Sequence, residues 1–293
     1  MPTTLNNAAP TDRQDLADAY RHCLNLTRSH YENFPVASRL LPRQLQRPIS
    51  VIYAFARSAD DFADEGDLPE ETRLARLDEY VSRLDAIGEG REVTDPVFIA
   101  LADVVARKAL PLEPFYDLLS AFRQDVTKNR YADFDEVLAY CRRSANPVGR
   151  LVLHLAGEAT PDNVRDSDAI CSALQLINFW QDLNQDLTEN DRIYLPQDEM
   201  AAFGISEAQL TERRGDAALR ILLDEHIERA RRLLLSGAPL GKRLTGRLGL
   251  EIRATIHGGL KILDILARRE DLFARPRLRR RDWLSILWHT LIP

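Results

Sequence analysis

Asp60 and Asp64 are four residues apart, and so are Asp182 and Asp186. On a helix a step of four turns the side chain through about 400°, so each pair shares a face, one member a turn above the other. Such pairs offer hard oxygen atoms to a divalent cation. Two of them facing across a cavity would make a clamp for Mg²⁺, with water and phosphate oxygens filling the remaining positions. An isolated pair of this spacing is usually a solvated helix face. Here there are two, one of them inside an apolar segment, and each has an arginine close by: Arg57 before the first and Arg192 after the second.

The first pair sits in "SADDFADEGD" (58–67), where Asp60, Asp61, Asp64, Glu65 and Asp67 follow the apolar run "ISVIYAFAR". Gly66 reads as a helix stop. The acids therefore crowd a helix C-terminus, the end at which the macrodipole disfavours negative charge. Something positive must compensate them, and bound metal would do so. Tyr53, Arg57, Asp60 and Asp64 form one polar stripe on this helix. The second pair sits in "CSALQLINFWQDLNQDLTENDRIYLP" (171–196), whose Leu174, Leu176, Ile177, Phe179, Trp180, Leu183 and Leu187 surround most of a helix. Gln175, Asn178, Asp182 and Asp186 nevertheless recur on one line. A polar stripe on a buried helix must face a partner or a wet cavity, because buried carboxylates without partners cost several kcal/mol each.

The elements that carry these stripes are helical. Apolar residues recur with helical period along the chain, and β-branched alternation is scarce. The periodicity predicts helices at 13–30, 45–65, 70–87, 95–108, 113–124, 134–157, 166–188, 206–210, 215–236, 240–266 and 280–291. Breaks are predicted at "EGDLPEE", "IGEGREVTDP", "LPLEP", "GEATPDN" and "YLPQDEMAAFGI", which hold the Gly and Pro punctuation of connections. No repeat or low-complexity linker divides the chain, so 13–293 reads as one all-α domain after a disordered 1–12. In "YCRRSANPVGR" (140–150), Pro147 is expected to bend its helix and free carbonyls near residue 143.

The 293 residues suffice for a substantial core. A formal net charge of −6 argues against nucleic acid as the main partner. Cys23, Cys141 and Cys171 are odd in number and scattered, which is no disulfide framework and fits a reducing cytoplasm. The six histidines lack zinc-ligand spacing. There is no signal-peptide pattern at the N-terminus and no apolar run of membrane-spanning length. At the other end, "RPRLRRRDWLSILWHTLIP" (275–293) joins five arginines to Trp283, Leu284, Leu287, Trp288 and Leu291 on one side of a short helix. That segment either holds the protein peripherally on an anionic membrane face or docks on its own core.

Together "YAFARSADDFADE", "YCRRSANPVGR" and "QLINFWQDLNQDLTENDRIYLP" resemble the squalene/phytoene synthase family of all-α isoprenoid synthases, over about residues 20–270. "NFPVAS" (33–38), "SANPVGR" and "FWQDL" are similar to its bacterial hydroxysqualene-forming branch, which serves hopanoid synthesis. The resemblance implies a helical bundle around a central cavity, with Mg²⁺ ions on Asp60, Asp64, Asp182 and Asp186 and diphosphate contacts from Arg57 and Arg192. It further implies substrate contacts from His30, Asn33, Phe34, Tyr53, Gln175, Asn178 and Tyr194, and a catalytic set of Tyr140, Asn146 and Arg57. Tyr140 matches the family's catalytic tyrosine, and Asn146 replaces a glycine of the squalene synthase pattern. The implied reaction is conversion of presqualene diphosphate to hydroxysqualene. NADPH is not expected, since no dinucleotide fingerprint is present, although all-α squalene synthases bind it without one.

Gln181 and Glu32 stand where relatives often carry arginine and lysine. Both changes remove positive charge, as would suit an enzyme holding one diphosphate rather than two. Surface drift would give the same substitutions. The alternatives are head-to-head condensation of two farnesyl diphosphates, an all-α nucleoside-diphosphate hydrolase, and a helical scaffold without activity. Oligomeric state is not legible.

Overall fold

The computed structural model describes residues 13–29, 41–64 and 68–291. Among them there is no β-strand, only an isolated bridge between Arg130 and Ile193. The predicted all-α class is what is observed. The helices gather into two compact units, one of the described residues up to Val126 with His154–Ala156, the other of Thr127–Leu153 and the described residues from Gly157 onward. The disorder expected for 1–12 concerns residues outside those described.

The first unit holds α1 (Arg13–Ser29), α2 (Arg43–Asp64), α3 (Glu70–Gly88), α4 (Pro96–Lys108) and α5 (Glu113–Thr127, as far as Val126). Leu45, Ile49, Ile52, Phe55, Ala59 and Ala63 recur every three or four residues along α2 and are buried. Phe55 is the centre of this core. Its ring lies 5.6, 5.7 and 5.2 Å from those of Tyr80 on α3, Phe98 on α4 and Phe115 on α5. The contacts with Phe98 and Phe115 are edge-to-face and that with Tyr80 is tilted; such aromatic pairs add about 0.5–1.5 kcal/mol each beyond area burial, and the packing leaves the Tyr53–Arg57–Asp60 stripe half-buried on another side of α2.

The second unit comprises α6 (Phe134–Ser144), α7 (Asn146–Ala156, as far as Leu153), α8 (Pro161–Gln181), α9 (Leu183–Asn190), α10 (Gln197–Ala202), α11 (Glu207–Thr211), α12 (Ala217–Ser236), α13 (Leu240–Arg243), α14 (Gly246–Arg268) and α15 (Arg280–Leu291). Helix α8 packs against α6, α12 and α14, which makes it the axis of this unit.

Four helix boundaries differ from expectation. The predicted 134–157 helix is two, because Ala145 (φ −117°, ψ −46°) ends α6 and Pro147 falls in the first turn of α7, where its missing N–H costs no hydrogen bond. The break predicted at "GEATPDN" is present but shorter, and α8 starts inside it rather than at 166: Thr160 caps the helix by accepting from the Asn163 N–H, and Pro161 takes the first position. The predicted 166–188 helix changes course at Asp182, and 240–266 divides at Leu244–Thr245, before Gly246 in the left-handed region (φ 61°). Inside "YLPQDEMAAFGI" there is also the short α10.

Candidate active site

In the first unit the acids at the end of α2 do find positive charge. Arg57 places Nη2 2.5 Å from Asp61 Oδ1 and Nη1 3.4 Å from Asp60 Oδ2. Arg73, arriving on α3, donates through Nη1 to the Ala63 carbonyl at 2.8 Å and so occupies an acceptor of the last turn. The last turn has no basic residue of its own. Two arginines therefore supply compensation that the sequence suggested metal would provide. Asp61, to which no role was given, holds the shorter ion pair; the four-residue spacing from Arg57 was the available signal. Tyr53 is half-buried, and its hydroxyl pKa is raised by burial. The side chain of Asp64 and the whole of His30, Asn33, Phe34 and Glu32 lie outside the described residues.

In the second unit, Asp182 lies between α8 and α9 with φ −104° and ψ 13°. The bend does not dissolve the stripe: Asp182 N–H donates to Asn178 O at 2.8 Å and Asp186 N–H to Asp182 O at 2.9 Å, each the four-residue bond of a helix. Gln175, Asp182 and Asp186 are half-buried and Asn178 is exposed. Arg275 meets Asp182, its Nη2 donating to Oδ2 at 3.1 Å and its Nε lying 2.5 Å from Oδ1. The second approach is an ion pair without hydrogen-bond alignment, so Oδ1 is buried and receives no hydrogen bond. Burial pushes the Asp182 carboxyl above its ordinary range, and Arg275 works against that rise.

Asp191 adopts the left-handed conformation (φ 50°) and turns the chain back, so that Arg192 N–H donates to Asp186 O at 2.9 Å. Arg130 and Asn129 hold the Asp191 carboxylate at 2.8 and 3.0 Å, which fixes the reversal. Arg192 emerges buried, with Nη1 donating to the Tyr194 hydroxyl at 3.3 Å. Tyr194 stacks on Phe179 of α8, ring centroids 3.5 Å apart and planes within 10°. Tyr140 of α6 is 5.8 Å from Tyr194 and 6.1 Å from Phe179, and Tyr131 joins at 5.3 Å from Tyr194. Tyr140, Arg192 and Tyr194 thus share one buried aromatic cluster, to which sequence reasoning had not assigned Tyr131.

Asn146 is buried, and its Oδ1 accepts from Ser172 Oγ on α8 at 2.8 Å. The rest of "SANPVGR" continues the same seam. A side chain at Gly149 would press on Ser167 Oγ and Cys171 Sγ, and Arg150 forks the Asp168 carboxylate at 3.0 and 2.6 Å. The motif seats α7 on α8. Gln181, expected to thin out positive charge, donates through Nε2 to the Pro276 carbonyl at 2.7 Å, and Arg269 Nη1 donates to the Trp180 carbonyl at 3.0 Å. The stretch from Arg269 to Pro276 is strapped to the end of α8.

Among the described residues no three or more acids, histidines or cysteines converge into a ready-made metal cage. The donor set still suits a hard cation that keeps water and phosphate in its shell: two carboxylates a turn apart, one with a buried oxygen lacking a donor. Arginines beside them suit an oxyanion.

A family profile described as squalene/phytoene synthase matches residues 27–283. The chain is 39% identical over 249 residues to a hydroxysqualene synthase of Rhodopseudomonas palustris, covering 85% of this chain and 84% of that one. It is 37% identical to a phytoene synthase of Mycobacterium tuberculosis over 65% of this chain and 62% of the other. The crystal structure of squalene synthase HpnC from Alicyclobacillus acidocaldarius superimposes with a TM-score of 0.81 at 38% identity, covering 87% of this chain and 95% of that one. A dehydrosqualene synthase at 23% identity shares the fold, with a TM-score of 0.83 over 94% and 96% of the two chains. Helical architecture, acidic stripes and likeness across most of its length agree: the chain belongs to the squalene/phytoene synthase family of isoprenoid synthases.

Proposed function

We propose that the protein converts presqualene diphosphate to hydroxysqualene, and that it does so with magnesium. The observation that carries this reading is the adjoining of two chemistries in one unit. The Asp182–Asp186 stripe and Arg192 suit a metal-bound diphosphate, and the Tyr131–Tyr140–Phe179–Tyr194 cluster suits an apolar cation. The likeness to a hydroxysqualene synthase over 85% of the chain supports the choice of substrate.

Asp60 and Asp64 would hold metal in the first unit, and Asp182 and Asp186 would hold metal in the second. When bound, it supplies Lewis acidity that takes up charge as the carbon–oxygen bond to diphosphate breaks. Arg57 and Arg192 donate to the departing diphosphate. Tyr53, Gln175 and Asn178 orient the substrate's polar end, with His30, Asn33 and Phe34 assigned to substrate on the resemblance alone. The aromatic rings present π-faces to the cyclopropylcarbinyl cation and its rearranged successor while keeping out bulk water. One water then adds, losing its proton. Tyr140 and Asn146 are proposed to place it, Asn146 through an orientation held by Ser172.

The test is mass spectrometry of products from purified protein with magnesium, given presqualene diphosphate or farnesyl diphosphate, with and without NADPH. Hydroxysqualene from presqualene diphosphate, independent of NADPH, is expected. Turnover of farnesyl diphosphate would instead establish condensation, the reading that the phytoene synthase likeness favours.

A further inference from the structure

The last helix carries two faces of different character. Asp282, Ile286 and Thr290, each four residues after the last, are buried, and α15 packs on α14. Asp282 is tied down on two sides: Oδ2 accepts from the Arg279 N–H at 2.7 Å, and Oδ1 lies 3.4 Å from Lys261 Nζ. That settles half of the sequence alternative, since α15 does dock on its own protein. It does so through one narrow stripe, Asp282, Ile286 and Thr290. Trp283, Leu284, Leu287, Trp288 and Leu291 are 50%, 71%, 47%, 65% and 67% exposed. At 100° per residue they span an arc of about 140°, centred about 130° from the middle of the docked stripe. Five large apolar side chains so arranged on one short helix form a surface patch that calls for a partner.

Charge on the same surface tells what the partner is. Arg277, Arg279, Arg280 and Arg281 are exposed just before or within the first turn of α15, on a chain whose formal net charge is −6. On the same helical wheel Arg280 projects into the middle of the apolar arc and Arg281 to its edge. A second copy of this chain meeting the patch by two-fold symmetry would bring the two arginine clusters together and be repelled. An anionic surface would be attracted. Paired tryptophans beside arginines are also what an amphipathic helix needs to lie in the headgroup layer, rings in the acyl boundary and guanidinium groups at the phosphates. Among the described residues no helix is long and apolar enough to cross a membrane, so attachment would be in the plane.

We propose that α15 holds the protein on the surface of an anionic lipid bilayer, with Trp283, Leu284, Leu287, Trp288 and Leu291 inserted and Arg277, Arg279, Arg280 and Arg281 at the headgroups. The proposal stands on this surface alone and is independent of the substrate assigned above.

The experiment is co-sedimentation of the full chain with vesicles of phosphatidylglycerol and of phosphatidylcholine, at low and raised salt, with tryptophan emission recorded alongside. Trp180 is fully buried, so the change in emission reports the two tryptophans of α15. The expected result is pelleting with phosphatidylglycerol, a blue shift, release by salt, and at least tenfold weaker binding in Leu284→Gln/Trp288→Gln and in Arg280→Glu/Arg281→Glu. All four positions are exposed, and circular dichroism would verify that the variants keep their helix content. Equal pelleting with both lipids, or binding untouched by either pair of substitutions, would overturn the proposal. So would absence of vesicle binding, and a concentration-dependent dimer abolished by Leu284→Gln/Trp288→Gln would then identify a second copy as the occupant.

Discussion

Arg275 forms an ion pair with Asp182 across 93 residues of sequence, with one aligned hydrogen bond at 3.1 Å and one oblique approach at 2.5 Å. The carboxylate thereby has a cation before any metal arrives. A divalent ion on Asp182 must share it with Arg275 or displace it, so the proposed magnesium reading gives Arg275 a measurable part. Arg275→Gln is expected to tighten magnesium binding in the absence of diphosphate by about twofold to fivefold, the range of a modest, partly exposed ion pair. Calorimetric titration with magnesium chloride checks this. Unchanged affinity would mean that Asp182 and the metal do not meet.

Asp182 itself is held at a cost. A carboxyl whose folded pKa is raised contributes stability below its unfolded pKa and loses it as pH rises through the folded value. Asp182→Asn is therefore expected to raise the melting temperature at neutral pH, by an amount that fades on acidification. Turnover should fall by on the order of a hundredfold or more if Asp182 binds the catalytic metal. Melting curves and product assays on one preparation separate the two effects.

His226 is fully buried between Trp180 and Phe134, with ring centroids 4.6 and 5.7 Å away. Burial first, and the nearby Arg229 second, push its pKa down to about 3. A histidine shifted this way is neutral in the fold and charged in the unfolded chain at mildly acid pH. Stability is retained above about 6.5 and lost as pH falls toward 3, with a limiting slope of about 1.4 kcal/mol per pH unit. His226→Phe should flatten that dependence while keeping the ring packing. Urea midpoints between neutral and mildly acid pH provide the comparison.

The α7–α8 seam predicts its own weak point. A Cβ on Gly149 would sit 2.4 Å from Ser167 Oγ and 2.6 Å from Cys171 Sγ. Gly149→Ala is expected to destabilise by about 1–3 kcal/mol, despite alanine's better helix propensity. Adding Ser167→Ala and Cys171→Ala should recover most of that loss. Failure of the rescue, followed by denaturant melts, would locate the constraint elsewhere.

Much of the helix content was legible because apolar residues recur at helical spacing from Leu45 to Ala63 and from Ile170 to Trp180. The carboxylate pairs were legible for the same reason. What escaped were relationships between residues distant in sequence: Arg275 with Asp182, Ser172 with Asn146, and Arg73 with the Ala63 carbonyl. Periodicity says which face a residue is on and nothing about what packs against it. The bend at Asp182 escaped because neither glycine nor proline marks it. Pro147 did mark a break, but it turned out to open α7 rather than to bend one long helix. Arg73 and Arg57 also show that the charge argument for metal at the end of α2 does not stand alone. An unfavourable charge at a helix terminus signals a counterion, and arginines, one on the same helix and one from the next, can serve as well as a metal.

The strap from Arg269 to Pro276 has a practical reach. Because Arg269, Arg275 and Pro276 fasten the end of α8, the residues leading into α15 brace the acidic stripe as well. Shortening the chain from its C-terminus would first remove the apolar face and then, within a few further residues, the braces. A deletion ending before Arg269 would lose activity through a slackened α8 and could be mistaken for evidence that catalysis requires lipid. One ending at Asp282 keeps every brace of α8 while removing the exposed face together with the docked Ile286 and Thr290, so a deletion series across this boundary, read beside the Leu284→Gln/Trp288→Gln variant, distinguishes anchoring from architecture.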